Sequence, residues 1–321
     1  MIQQGSALFY FDCAPVAQKS RDDLIMKSAH ARSLVLVFAA GVLWSTVGLG
    51  IRLIQEADVW QILLYRSMSL TIFLYIVIRI RSSDTPFAQV RRVGLPGVIA
   101  GLSLVLAYAG GIYAIQTTSV ANAMLLFAAA PFFAAVLGWS ILRERVHRGT
   151  WIAICFAIVG IGIMVGNQTF GGSLKGSFAA LGSALGFAAF TVTLRWGKET
   201  EMLPSVFLSG IFGVVITAAI CIGVGLPLAI SAPDLGISTG MGVFQVGAGL
   251  VLYTLGSKAL PAVELTLMSL AEVLLAPLWV WLLLGETVTS NTLAGGCVLL
   301  GAIAGNAIFS ARVRSPAVVS G

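Results

Sequence analysis

Charged residues are scarce in this sequence. Only 10% of its 321 residues are Asp, Glu, Lys or Arg, compared with about one quarter in ordinary soluble domains. Hydrophobic residues make up 58% of the chain, and a soluble globular domain is therefore excluded. Most of the chain must lie in lipid. The net charge is +6, and in a membrane protein the positions of the Lys and Arg residues indicate the orientation of the spans. We do not expect a nucleic-acid partner.

Histidine and cysteine are also rare. The two histidines, His30 and His147, both lie outside the apolar runs described below. Three of the four cysteines lie inside such runs, which is typical of small buried hydrophobic residues, and neither a CxxC nor an HExxH motif occurs. The sequence therefore predicts no metal site and no cofactor. It also argues against a membrane enzyme, which would need a cluster of His, Ser or carboxylate side chains.

Long hydrophobic runs dominate the chain. A helix needs about 20 mostly apolar residues to cross a hydrocarbon core of about 30 Å. Ten runs are long enough, and the connectors between them are short. They are residues 33–54, 59–79, 94–116, 119–142, 149–166, 176–196, 204–226, 236–255, 261–284 and 291–310. The predicted fold class is an all-α integral membrane protein with ten transmembrane helices.

Lys and Arg residues are distributed unevenly between the two sides of the predicted bundle. Only Arg52 and Lys175 lie in connectors of one side, Arg66 lies within the second run, and all the others lie on the opposite side. Connectors rich in Lys and Arg remain in the cytoplasm. Both termini are therefore predicted to be cytoplasmic, in a multi-pass protein of a bacterial inner membrane.

The residues before the first run differ from the rest in composition. Residues 1–32 form a predicted cytoplasmic tail, which lacks the basic start and the long apolar segment of a signal peptide. Met26 is followed by a basic segment and then by the first run, so we expect translation to begin there and residues 1–25 not to be native. Residues 311–321 form a second predicted cytoplasmic tail.

The two halves of the chain align at an offset of 142 residues. Residues 143–146, RERV, align with residues 285–288, GETV, and every apolar run aligns with an apolar run. Because each half, 33–166 and 176–310, holds five runs, the second half enters the membrane in the opposite sense. Such inverted repeats occur in many transporters, with the substrate site between the halves. The alternative is an old duplication whose symmetry no longer serves function.

The ends of the fourth and ninth runs resemble a known family. ILRERV, LLLGETV and the longer stretch SLAEVLLAPLWVWLLLGE are similar to EamA-type members of the drug/metabolite transporter superfamily. LWSTVGLGIR, residues 43–52, is similar to the first span of the aromatic amino acid exporters. The resemblance implies a secondary transporter that exports amino acids, with aromatic ones among a broad substrate range, by alternating access. The alternative is an efflux carrier for cationic or lipophilic compounds.

Polar side chains within the runs are candidates for the substrate pathway, because lipid offers them no hydrogen bonds. Glu272 lies near mid-membrane, about 16 Å into the ninth run, on a helical stripe with Met268. The offset places Asn122 and Leu126 on the matching stripe of the fourth run. Glu272 either binds a substrate ammonium or a proton, or pairs with Arg66. For Arg66 itself, we expect extension to the outer headgroups.

Aromatic residues near the ends of runs, such as Trp279, are predicted to be anchors at the membrane interface. Several other aromatic side chains lie deeper in their runs. The indole N–H of Trp44 needs a partner, which a cavity would supply. The alternative for each aromatic residue is ordinary helix packing. We predict a pathway lined by Trp44, Ser45, Thr46, Tyr108, Phe187 and Tyr253.

Pro131 and Pro277 lie within the fourth and ninth runs, where each removes a helical hydrogen bond and favours a kink. We predict that these kinks act as gates. The expected partners are an amino acid substrate and the lipid bilayer. The oligomeric state stays open, since a single duplicated chain is sufficient for alternating access.

Overall fold

The computed structural model is helical throughout the residues that it describes. These are residues 14–82, 84–166, 172–197, 202–256, 260 and 262–314, with the backbone alone described for 14–29, 172–173, 262–267, 269–270 and 310–314. No β-strand occurs in them. The prediction of an all-α protein is confirmed for this part of the chain.

The helices follow one another with short connections. They are α1 (Ala14–Ser45), α2 (Val47–Leu53), α3 (Val59–Arg81), α4 (Pro86–Thr117), α5 (Val120–Phe127), α6 (Ala130–Ile141), α7 (Arg148–Val165), α8 (Gly172–Trp196), α9 (Leu203–Val224), α10 (Ala232–Gly240), a π-helix (Met241–Ala248), α11 (Gly249–Gly256), α12 (Ala262–Leu284) and α13 (Ser290–Arg314).

Nine helical stretches of the described residues are long and apolar enough to cross a membrane. They are His30–Leu53, Val59–Arg81, Pro86–Thr117, Val120–Ile141, Arg148–Val165, Leu174–Trp196, Leu203–Val224, Ala232–Gly256 and Ser290–Phe309. The remaining predicted run, 261–284, falls on α12, and within it Ala271–Leu284 is a shorter apolar stretch of residues with described side chains. The chain is therefore a multi-pass helical membrane protein, and the count of ten spans stays a prediction.

The first span is broken near its middle. α1 ends at Ser45 and α2 begins at Val47, with a turn at Thr46 between them. The Thr46 N–H donates to the Leu43 carbonyl, three residues back rather than four, at 3.3 Å. Thr46 Oγ1 donates to the same carbonyl at 2.7 Å. Side-chain hydroxyls that bond to nearby carbonyls compete with the helical ladder, and the chain turns here without a proline.

Two other spans are irregular. The fourth is divided between α5 and α6, and Pro131 lies in the first turn of α6, where its missing N–H is tolerated. The eighth contains the π-helix between α10 and α11, a rare geometry that is frequent at functional sites. Pro277, in contrast, lies inside α12, which continues on both sides of it.

Helices from the two halves of the sequence pack against each other. α4 packs along α8, α7 along α13, and α3 along α9, while α1 packs against α11 and α12. Small residues permit close approach: a Cβ on Gly160 of α7 would stand 2.7 Å from the carbonyl oxygen of Gly295 in α13. Each of these pairings joins the first half to the second.

α6 and α12 end in the same way. Arg143, the second residue after α6, and Gly285, the first after α12, have left-handed φ angles of 55° and 69°. The N–H of the next residue, Glu144 or Glu286, then donates to the carbonyl six residues back, at 3.1 and 3.4 Å respectively. A left-handed residue just past the last helical turn is a common way for a helix to end. This ending holds the two glutamates in the same local geometry, 142 residues apart.

Candidate functional site

The break in the first span is joined to the π-helix of the eighth. Ser45 Oγ donates to the Val42 carbonyl at 2.7 Å, and Gln245 Nε2 of the π-helix donates to the Trp44 carbonyl at 3.4 Å. Gln245 is only 7% exposed, and its Oε1 has no hydrogen-bond partner among the described residues. Two irregular helical segments therefore meet within the membrane and leave a buried acceptor unused.

Trp44 and Tyr253 form an aromatic pair beside this junction. Their ring centroids lie 5.3 Å apart, and the ring planes are tilted by 38°. Gly249 of α11 lies against the indole, so that a Cβ at this position would overlap Trp44 Nε1. Both aromatic side chains are partly buried. The structure therefore brings together two residues that the sequence predicted to lie deep in two different spans.

Ser45 connects the broken span to α12. Its hydroxyl is fully buried and accepts a hydrogen bond from Trp279 Nε1 at 2.9 Å. Trp279, which its sequence position suggests to be an interface anchor, is therefore a partner of the break. The hydroxyls of Ser45 and Thr46 are both engaged in this conformation, one with α12 and one with its own helix.

Glu272 lies on α12, which packs against the first span. One turn earlier, the carbonyl of Met268 lies 3.8 Å from where a Cβ on Gly41 would stand. Glu272 is partly buried and forms no hydrogen bond or ion pair with the described residues. An ionised side chain at this depth costs about 2.5–3.5 kcal/mol on insertion scales. Water, a ligand or a proton would have to offset that cost.

Arg66 is buried, so the expectation that it extends to the outer headgroups is wrong. It is 5% exposed, and its Cζ lies 4.6 Å from the centroid of the Tyr108 ring. It forms no ion pair with Glu272 or with any other carboxylate of the described residues. Sequence reasoning selected Tyr108 but missed this partner. The signal that could have found it was an arginine within an apolar run.

Asn122 and Leu126 are packed inside the protein. Asn122 is 1% exposed, and its amide donates to Thr118 Oγ1 at 3.1 Å and to Ser177 Oγ at 2.8 Å. Leu126 is fully buried. Asn122 therefore connects α5 with α8.

Phe187 lies on α8 and is 37% exposed. Its ring centroid lies 5.6 Å from that of Phe127 and 5.9 Å from that of Phe190. It therefore belongs to an aromatic cluster between α5 and α8.

Two ion pairs connect the halves of the sequence. Arg52 Nε lies 2.8 Å from Glu286 Oε2, and Arg195 Nη1 lies 2.7 Å from Glu144 Oε2. On the predicted orientation, the first pair lies at the outer face and the second at the cytoplasmic face. The two glutamates are those held by the matching ends of α6 and α12.

The Arg52–Glu286 pair is the better supported of the two. Glu286 Oε1 also accepts the Val120 N–H at 2.8 Å, and Arg52 Nη2 donates to the Thr118 carbonyl at 2.7 Å. The side chains of this pair are 27% and 24% exposed, whereas those of Arg195 and Glu144 are 46% and 40% exposed. This network connects α2, the start of α5 and the end of α12.

A depression of about 730 Å³ lies beside Glu144. It is lined by Trp139, Ser140, Arg143, Glu144, Arg145, Val146 and Trp151. Within the described residues, no group of three or more His, Cys, Asp or Glu side chains could hold a metal ion.

The sequence model of one family matches the chain twice, over residues 31–166 and again over residues 174–308. The chain belongs to the EamA-like transporter family. The EamA assignment covers both sets of helices that carry the ion pairs and the aromatic pair. The family is one of transporters, and the relatives described next carry the names of solute carriers or transporters.

Relatives of this EamA protein are transporters by name. Solute carrier family 35 member G1 of Homo sapiens is 27% identical over 198 residues, which cover 57% of this chain and 53% of that protein. The uncharacterized transporter YwfM of Bacillus subtilis is 24% identical over 58% of this chain and 64% of its own length. An uncharacterized transporter of Archaeoglobus fulgidus is 28% identical, with coverages of 68% and 79%. The matched part of this chain spans about half the length of the human relative.

The EamA fold is also found in a solved crystal structure. That structure superposes with a TM-score of 0.62 at 16% identity, covering 88% of this chain and 99% of the other. At this level of identity the likeness concerns the fold alone.

Proposed function

We propose that this EamA protein is a secondary transporter that exports amino acids, aromatic ones among a broad range, across the bacterial inner membrane. The observation that carries the proposal is that Trp44 of the first span pairs with Tyr253 of α11, while α12, which carries Glu272, packs against the same span. The Glu272 carboxylate, which has no partner among the described residues, would attract a substrate ammonium, and an aromatic pair suits a ring-bearing side chain.

The proposed mechanism is alternating access between two inverted repeats, 33–166 and 176–310. The Arg52–Glu286 pair holds the outer face closed, and the Arg195–Glu144 pair holds the cytoplasmic face closed. Because each pair joins the two halves, it must break when the halves separate at that face. The matching ends of α6 and α12 support the symmetry that this mechanism needs. A substrate or ion gradient supplies the energy.

A second candidate function is efflux of lipophilic cations. The observation in its favour is again Glu272, which would act as counter-ion to a permanent positive charge while the aromatic pair contacts the apolar part. In this function the carboxylate must be ionised to bind its substrate, whereas an amino acid brings a negative charge of its own.

Counterflow in liposomes tests both functions. Purified protein is reconstituted into liposomes loaded in turn with phenylalanine, threonine or tetraphenylphosphonium, and uptake of the labelled compound is measured with and without a pH gradient. Faster uptake into phenylalanine-loaded liposomes supports amino acid transport, and exchange of the cation alone supports the second function. Liposomes without protein give the background. Absence of exchange in all three would refute both.

A further inference from the structure

The positive charge of Arg66 lacks a counter-charge among the described residues. The ion pairs within this part of the chain lie near the ends of spans. Arg66 lies instead two turns into α3, in an apolar stretch, and is 5% exposed. A guanidinium keeps its proton in proteins. The charge is therefore permanent, and charged groups within a membrane face a partner or an aqueous cavity.

The Tyr108 ring lies against the guanidinium of Arg66, and no hydrogen bond joins these two side chains in the described structure. A cation over a ring uses the flat side of the guanidinium, and the in-plane N–H donors remain for hydrogen bonds. Arg66 Nε is buried and has no acceptor among the described residues. Buried donors are normally hydrogen-bonded. The free edge of Arg66 therefore indicates an acceptor that is not part of the described chain.

The eighth span adds further unsatisfied polar atoms to the same helix interface. Gly242 of the π-helix packs against the backbone carbonyl of Arg66. Gln245, one turn further on, has an Oε1 without a partner among the described residues, and so does the Oγ of Ser238, one turn before. Gln245 Nε2 also reaches the Trp44 carbonyl. The π-helix thus connects the surroundings of Arg66 with those of the aromatic pair.

We propose that Arg66, stacked on Tyr108, binds the carboxylate group of the transported substrate. The two parallel N–H groups of a guanidinium edge match the two oxygens of a carboxylate. This inference rests on the proposed function, because an amino acid would place its carboxylate on Arg66 and its ring beside Trp44. It also separates the two candidate functions, since Arg66 repels a lipophilic cation.

Ligand binding to the purified protein in detergent tests the assignment. The probes are phenylalanine, 3-phenylpropionate, which keeps only the carboxylate, and phenethylamine, which keeps only the amine. Wild type is expected to bind both carboxylates. Arg66→Gln lowers the affinity for both about 100-fold. Arg66→Lys keeps the charge but loses the two-pronged geometry, and lowers it about 10-fold. Arg79→Gln, an exposed position on the same helix, is the control and leaves both affinities unchanged.

Folding is followed by size-exclusion profile and by melting temperature without ligand. If Arg66→Gln does not fold, Arg66→Lys decides. Wild-type affinity for 3-phenylpropionate in the Arg66 variants overturns the assignment, and so does failure of the wild-type protein to bind that carboxylate.

Counterflow of phenylalanine separates this inference from the proposed function. If wild type and both Arg66 variants exchange phenylalanine equally, the function stands and the role of Arg66 is refuted. If wild type exchanges no phenylalanine but loses 3-phenylpropionate binding on Arg66 substitution, the carboxylate site stands and the proposed function is refuted.

Discussion

Replacing Glu286 with Gln is expected to shift the transporter toward a conformation open at the predicted outer face. In the closed arrangement, the Glu286 carboxylate accepts hydrogen bonds from Arg52 Nε and from the Val120 N–H, both at 2.8 Å. Gln has a similar shape, but it removes the charge and one of the two acceptor oxygens. The one remaining oxygen can accept from Arg52 or from the Val120 N–H in this geometry, so one of these two hydrogen bonds is lost.

The size of the shift follows from the exposure of the pair. Hydrogen bonds to charged groups contribute about 1.5–3 kcal/mol. The Arg52 and Glu286 side chains are 27% and 24% exposed, so we take a loss of about 1.5–2 kcal/mol, near the lower end. Since about 1.4 kcal/mol is a factor of ten, the ratio of closed to open protein falls about 10- to 30-fold. The more exposed Arg195–Glu144 pair contributes about 0.2–1 kcal/mol, which is at most about fivefold.

Labelling of a single cysteine measures this ratio. Ala121 lines the space beside Glu286 and is 3% exposed. In a background without the native cysteines, Ala121→Cys is treated with a membrane-impermeant maleimide. The labelling rate should rise about 10- to 30-fold in Glu286→Gln, following the open fraction. Glu144→Gln is the matched control, because it makes the same change at the corresponding position and opens the other face.

The reasoning is refuted if Glu286→Gln labels at the wild-type rate, or if Glu144→Gln accelerates labelling at Ala121→Cys equally. Arg52→Gln should reproduce the effect, and the double substitution should add little to it, since both changes remove one interaction.

Three further substitutions test other parts of the structure. Glu272→Gln should strongly reduce amino acid counterflow without changing the melting temperature. Glu56→Gln, at an exposed position, is its control. Counterflow at the wild-type rate in Glu272→Gln would show that this carboxylate is dispensable. Gly249→Leu should displace the indole of Trp44 and raise the KM for phenylalanine more than for threonine, and equal changes would contradict a role of the aromatic pair. Asp234 is fully buried and accepts the three backbone N–H groups of residues 55–57 at 3.0–3.1 Å. Asp234→Asn should therefore lower the free energy of unfolding by about 2 kcal/mol, and an unchanged melting temperature in detergent would contradict this.

Hydropathy predicted the position of most helices because lipid forces the backbone to satisfy its own hydrogen bonds. The second run, 59–79, corresponds to Val59–Arg81, and the fourth, 119–142, corresponds to Val120–Ile141. The ninth run, 261–284, corresponds to α12, Ala262–Leu284. The ends of the spans also set the positions of the loops, which carry most of the charged residues.

The irregular segments were not predictable from the same signal. The break at Thr46 arises from hydroxyl groups that take up helical carbonyls and from contacts with α12 and the π-helix. Such contacts depend on which helices become neighbours. The two prolines make the same point: the fourth span divides just before Pro131, whereas α12 continues through Pro277.

The candidate site was only partly accessible from sequence. The depth of a residue within its predicted span was enough to select Trp44, Tyr253 and Tyr108. It did not show that Trp44 and Tyr253 form an aromatic pair. Depth also suggested that Arg66 would reach the headgroups. The packing of Tyr108 on the guanidinium overrides that tendency, and this contact is set by the approach of α3 and α4, which no local pattern encodes.

The turn after α6 differs from its counterpart in one respect. Gly285 adopts a left-handed φ freely, whereas Arg143 does so at 55°, a conformation that costs a residue with a Cβ about 1–2 kcal/mol. Relaxation of Arg143 would move the adjoining Glu144 and leave the opposite face untouched. The turns after α6 and α12 therefore differ in backbone strain. We expect this difference to give the proposed alternating-access cycle a preferred resting side even when no gradient acts on it.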